Sequence, residues 1–187
     1  MEALNKKTFP QLPEAELLPL PDRGRETVSF IVMLVCGEYF VVEIDRVLEI
    51  IRVPQITWLP GAPPSIRGLI NLRGAVLAVA DLAVLLSHPG LEISPQNRIV
   101  IVEAAGVRLG LLVEEVAGAE NAPSAALESS LRTLGEQRAV IVAQVDLNGK
   151  LSGVLDTGKL IEKARFTGTE IATALDQDHK FGGKNGN

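Results

Sequence analysis

Residues 65–82 read Ser65-Ile-Arg-Gly-Leu-Ile-Asn-Leu-Arg-Gly-Ala-Val-Leu-Ala-Val-Ala-Asp-Leu82. Two apolar runs, Leu69-Ile70-Asn71 and Ala75 to Val79, flank Leu72-Arg73-Gly74. Glycine at the end of that connection accepts the positive φ of a compact reversal, so the stretch predicts a strand, a tight turn and a second strand. Asp81 follows, placed to cap a short helix over Leu82 to Leu86 by accepting hydrogen bonds from its first free amides.

The same grammar extends outward in both directions. Val28 to Cys36 is rich in β-branched residues, and Gly37-Glu38 permits a turn into Tyr39 to Ile44. Val47 to Val53 reads as a strand on the weight of Ile50, Ile51 and Val53, and Pro54, Pro60, Pro63 and Pro64 mark a loop with one turn of helix near Ser65. Ile99 to Ala104 and Val107 to Val113 join at Ala105-Gly106. Residues 117–137, rich in Ala, Ser, Glu and Gly, read as a long surface excursion. Val140 to Leu147 and Leu151 to Leu155 flank Asn148-Gly149, the dipeptide best suited to a primed hairpin turn. Asp156 is placed to cap a last helix, Thr157 to Ala164, with Leu160 and Ile161 facing inward. Many short strands and little helix point to small β-barrels.

The predicted body, residues 26–166, lies between a leader (1–25) holding four of the eleven prolines and a glycine-rich polar tail (167–187). The leader's charges cancel, four of each sign, and neither segment has the apolar content for a core of its own. With 187 residues, 47% of them hydrophobic, the chain can bury a sizeable core. A net charge of −5 argues against a nucleic-acid binder, which needs a basic field. No apolar run approaches the roughly 18 residues that cross a bilayer. The single cysteine, Cys36, fits a reducing cytoplasmic setting and reads as a small buried strand residue.

Catalytic constellations are weak. His88 sits beside Pro89-Gly90 and His179 in the tail, with no neighbouring ligand to suggest a metal. Glu114 and Glu115 read as a solvated rim, and no nucleophile elbow occurs. Gly153 to Lys159 has phosphate-loop spacing, but Leu160 stands where magnesium would need Ser or Thr, and Val154 and Leu155 suit a strand core. No cofactor is expected.

The quoted stretch resembles the signature of the CheW family, the coupling proteins of bacterial chemosensory arrays. Its centre is Gly68-Leu-Ile-Asn-Leu-Arg-Gly74 with Asp81-Leu82 after the next strand. Three further stretches agree in order and spacing: Phe30 to Ile44 with Val47-Leu48-Glu49-Ile50, Gly110 to Val116, and Gly149 to Ile161. The resemblance implies a mainly β fold of two five-stranded SH3-like barrels sharing a hydrophobic seam, with short helices and a C-terminal helix. It also implies a non-enzymatic cytoplasmic adaptor joining methyl-accepting chemoreceptor tips to a CheA-type histidine kinase, with no nucleic acid and no membrane insertion. Arg73, Val47, Glu49, Gly110 and Val116 would line or border the receptor groove, and Tyr39, Val41, Val53 and Ile56 would lie at the kinase surface. The chain departs from the family at Ala78, where proline is usual, at Ala80, usually bulkier, and at Glu115, where glycine is common. These departures point to a specialised pathway such as surface or twitching motility. Alternatives are a competitor for the kinase's regulatory domain and a small-molecule sensor using the inter-barrel groove.

Overall fold

Four tight turns, each a non-glycine residue followed by glycine, reverse the chain with both φ angles positive. They are Cys36-Gly37 (51° and 77°), Arg73-Gly74 (52° and 86°), Ala105-Gly106 (50° and 77°) and Asn148-Gly149 (55° and 82°). Such turns carry the twist that matches antiparallel strands, so each closes a hairpin directly. The first is one residue earlier than Gly37-Glu38, and it puts Cys36 in the turn, half-buried, rather than inside the strand. The thiol's pKa is raised, first by burial and then by the charges of Glu114, Asp81 and Glu38.

A computed structural model describes residues 27–128 and 140–164. The hairpins are β1 (Thr27–Val35) with β2 (Glu38–Glu43), β4 (Ile66–Leu72) with β5 (Ala75–Asp81), β6 (Arg98–Ala104) with β7 (Val107–Val113), and β9 (Ile141–Leu147) with β10 (Lys150–Leu155). β3 (Val47–Arg52) follows a 3₁₀ turn at Ile44–Arg46, and β8 (Glu115–Pro123) follows β7. The short helices are α1 (Leu82–Leu85), α2 (Ser124–Glu128) and α3 (Thr157–Lys163). Near Ser65 the chain makes a turn, Ile66 N–H donating to Pro63 C=O at 2.8 Å, and no helix.

The strands form two five-stranded sheets, ordered β8-β1-β2-β10-β9 and β3-β6-β7-β5-β4. Advancing each strand number of the first order by five, cyclically, gives the second, so the chain is an internal repeat whose halves exchange strands. The exchange is sealed by parallel pairings of β2 with β10 and β5 with β7. The expected mainly β, two-lobed architecture is what forms, but the lobes do not correspond to successive halves of the sequence.

The larger core draws Ile31, Met33, Val35, Phe40 and Val42 from the first sheet and Val79, Ile99, Ile101, Leu111 and Leu112 from the second. It is therefore the seam between lobes. A smaller core, including Phe30, Val32, Val41 and Val145, lies in the first lobe. Gly68 shows how closely the backbone packs. Its φ is +143°, and a Cβ there would collide with the Thr57 carbonyl. That contact accompanies a bridge, Thr57 N–H to Leu69 C=O and Leu69 N–H to Thr57 C=O, both 2.8 Å.

Both predicted caps form. Asp81 Oδ1 accepts from Ala83 N–H at 3.0 Å and Val84 N–H at 3.4 Å, and Asp156 Oδ1 accepts from Lys159 N–H at 3.0 Å. Asp81 is fully buried and does more. Its Oδ2 accepts from Leu91 N–H at 2.9 Å and faces Arg67 Nη1 at 3.7 Å, which ties the loop after α1 to β4.

The supposed excursion over 117–137 begins instead as β8, a nine-residue strand pairing with β1 from Pro123 opposite Thr27 to Glu115 opposite Leu34. Its Ala-Gly-Ala-Glu-Asn composition has low β propensity, and pairing with β1 at a sheet edge overrides it. Residues 129–137 of that reading lie outside the described residues, as do the leader, the tail and His179.

Candidate protein-docking site

The signature turn is built locally. Asn71 Oδ1 accepts from Gly74 N–H at 2.8 Å, bracing the reversal and lifting Arg73 from its apex. Arg73 Nη2 donates to Glu49 Oε1 at 2.8 Å, with the arginine side chain 78% exposed and the carboxylate 30%. Glu49 belongs to β3 and Arg73 joins β4 to β5, so the ion pair links the two edges of the second sheet. The bond uses one of five guanidinium donors, leaving the fork able to meet a further carbonyl or carboxylate.

The first lobe has the matching element with different chemistry. Asp146 Oδ1 accepts from Gly149 N–H at 2.7 Å, and Asn148 Nδ2 donates to Glu120 Oε2 at 2.9 Å, joining the β9–β10 turn to the edge strand β8. Each lobe is thus clasped by a turn residue bonded to a glutamate. Of the two clasping residues, only Arg73 is a cation.

The expected groove residues divide by position. Val47 and Val116 are half-buried against the shared core, one from each sheet, so they border the seam. Glu49 and Arg73 meet directly. Gly110 is corrected: it is buried in β7, paired with Val79 and Ile101, and a Cβ would stand 2.8 Å from Ile99 Cγ2. Its role is to let strands approach, and it offers no surface to a partner.

The expected kinase residues divide between the two cores. Val41 is corrected outright, because it is 0% exposed within the smaller core. Tyr39 packs against that core with Lys150 Nζ 4.8 Å from its ring centroid, whereas Val53 and Ile56 pack against the larger one.

Beside Val53 and Ile56 lies a surface that sequence reasoning missed. Trp58 is 73% exposed and Ile93 is 53% exposed. Ile93 is shared by two adjoining hollows of about 420 and 600 Å³. The first includes Ile56, Trp58, Pro63 and Arg67, the second Arg52, Val53 and Arg98. Arg67 donates to Leu91 C=O at 3.0 Å, and Arg98 donates to the carbonyls of Pro95, Gln96 and Asn97 at 2.7–2.9 Å, so both hold the loop that presents Ile93. A signal existed in the lone tryptophan, set among four prolines that stiffen its loop.

The phosphate-loop spacing also has a structural explanation. Gly153 lies inside β10 under the Phe40 ring, where a Cβ would come within 3.0 Å, and Asp156 occupies the α3 cap. Among the described residues no group of three or more His, Cys, Asp or Glu is placed to hold a metal ion. No helix among them is long and apolar enough to cross a membrane.

The described residues thus combine two β lobes, an ion-paired clasp joining the edges of the second sheet, and exposed Trp58 and Ile93 beside two open hollows. The chain belongs to the CheW-like domain family, whose model matches residues 29–165. It is 29% identical over 136 residues to the chemotaxis protein CheW of Bacillus subtilis, covering 72% of this chain and 87% of that one. It is 35% identical over 109 residues to protein PilI of Pseudomonas aeruginosa, covering 57% and 60%. The crystal structure of the scaffolding protein TtCheW from Thermoanaerobacter tengcongensis superposes with a TM-score of 0.67 at 26% identity, covering 72% of this chain and 92% of that one.

Proposed function

We propose that the chain is a non-enzymatic chemosensory adaptor that holds a chemoreceptor tip and a CheA-type histidine kinase at the same time. The observation that carries this reading is the asymmetry of the two clasps. At the clasping position the first lobe has the neutral amide of Asn148, with Lys150, the first residue of β10, held over the Tyr39 ring, while the second lobe has the forked cation of Arg73 bonded to Glu49. A receptor tip, as a helical hairpin, needs an apolar strip for its helix face and a polar anchor for its carbonyls or carboxylates. Val47 and Val116 supply the strip and Arg73 the anchor. The kinase is proposed to dock on the second lobe at Val53 and Ile56, with Trp58 and Ile93 as its apolar anchors. Family departures at Ala78, Ala80 and Glu115 support a specialised pathway such as surface motility.

The test is Arg73→Glu, which places two acids together where an ion pair stood. Because the pair is exposed, stability changes by no more than about 1 kcal/mol. Receptor binding falls by roughly tenfold or more, as expected when a charged hydrogen bond worth about 1.5–3 kcal/mol is lost. Pull-down with a receptor cytoplasmic fragment and circular dichroism read the two effects separately. Unchanged receptor capture by the folded variant refutes the assignment.

A further inference from the structure

We propose that the Trp58–Ile93 groove is occupied by this chain's own proline-rich leader, residues 8–21. The groove and the sequence of the segment are complementary in apolar character and in charge. Exposed Trp58, with Ile56, Pro63 and Ile93, lines an open hollow, and an exposed aromatic beside apolar side chains is a feature that receives extended proline-rich segments whose conformation is largely set before binding. The leader reads Thr8-Phe-Pro-Gln-Leu-Pro13-Glu-Ala-Glu-Leu-Leu-Pro-Leu-Pro21. Pro10 and Pro13 are spaced to fall on one face of such a helix, which has three residues per turn, and Phe9 and Leu12 supply apolar bulk beside them.

Charge selects the same pairing. Every charged residue among the described lining of the two hollows is an arginine: Arg52, Arg67 and Arg98. Residues 8–21 carry Glu14 and Glu16 and no base. The leader's lysines and arginines, Lys6, Lys7, Arg23 and Arg25, all fall outside this stretch.

Length allows the contact within one molecule. The described fold begins at Thr27, and the chain from Pro13 to Thr27 reaches about 43 Å at roughly 3.1 Å per residue. That is about three times the roughly 14 Å radius of gyration of a body this size. Tethering supplies an effective concentration on the order of 1 mM, so an intrinsic affinity of only about 100 μM fills the groove in roughly nine chains of ten. The segment that fills it also covers the surface proposed above for the kinase, but the contact itself requires no kinase and no receptor.

Trp58 is the only tryptophan in the chain, so its fluorescence reports the groove directly. Acrylamide quenching is measured on the full-length protein and on two full-length variants. One replaces Pro10, Pro13, Pro19 and Pro21 with alanine; the other combines Glu14→Lys with Glu16→Lys. The substitutions lie outside the described residues, and circular dichroism checks that each variant melts as the unaltered chain does. In the unaltered chain Trp58 is shielded, and in each variant its accessible fraction rises by up to about tenfold. Shielding that persists on dilution supports the intramolecular contact. Equal quenching in all three proteins overturns the proposal and leaves the groove open for another protein. Shielding lost on dilution also overturns it, assigning the groove to a second copy of the chain.

Discussion

Replacing Asp81 with alanine removes two helix-cap bonds, the bond to Leu91 N–H at 2.9 Å and the ion pair with Arg67 at 3.7 Å. Losing a cap costs about 1 kcal/mol, and an unpartnered buried amide costs about 1–3 kcal/mol. The half-buried Arg67 adds a smaller amount, because water screens a pair that is 34% exposed on one side. The expected loss is about 3 kcal/mol, equivalent to a fall of about 9 °C in Tm for a chain of this length. The fold contains its own control. Asp156 occupies the equivalent place before α3, but its described bond is the single cap to Lys159 at 3.0 Å. Asp156→Ala is therefore expected to cost about 1 kcal/mol, or about 3 °C. Urea denaturation of the two variants, followed by far-ultraviolet circular dichroism, compares them. Equal losses at both positions would refute the reasoning, because both aspartates cap a short helix but differ in burial and in number of partners.

Further outcomes follow from individual contacts. Gly68→Ala forces a side chain into positive φ and against the Thr57 carbonyl, so a loss of more than about 2 kcal/mol is expected in chemical denaturation. Gly74→Ala, at a turn with open space around it, is expected to cost only about 1 kcal/mol, and the reverse order would contradict this account of β4. Glu49→Ala is expected to weaken receptor capture less than Arg73→Ala, with the double variant matching Arg73→Ala alone, since Glu49 acts by orienting the arginine; additive losses in a binding titration would disprove that role. Cys36, whose pKa burial raises above the usual thiol range, is expected to react with iodoacetamide at pH 8 more slowly than free cysteine. The unfolded chain releases that proton at lower pH than the folded one. The thiol's contribution to stability is therefore complete below the usual thiol pKa and is lost as pH rises through the folded value, which a denaturation series from pH 7 to 10 checks.

Local chemistry explains which parts of the fold could be read before the coordinates. Glycine after Arg73, Ala105 and Asn148 announced three hairpins, and Asp81 and Asp156 announced two caps, because these depend on residues a few positions apart. The strand exchange was not legible. Tyr39 pairs with Ser152 and Val79 with Gly110, and nothing in the intervening sequence encodes those parallel neighbours. β8 was hidden because alanine, glycine and asparagine do not favour strands, and its pairing with β1 supplies the conformation. At the site, the family resemblance singled out Arg73 and Glu49, but their contact appears only when the fold brings β3 and the β4–β5 turn together. Val41 was misplaced because strand alternation turns it into the smaller core. Trp58 and Ile93 escaped notice because they are distant in sequence and meet only across the proline loop.

The adaptor reading requires both partner surfaces to be occupied together, and a ternary titration tests that directly. Purified chain, a CheA-type kinase and a chemoreceptor cytoplasmic fragment from the same genome are mixed and resolved by size-exclusion chromatography with light scattering. The account predicts one complex containing all three, with receptor recruited to kinase only when this chain is present. Two separate binary complexes that never combine, or a receptor–kinase complex indifferent to the chain, would contradict it.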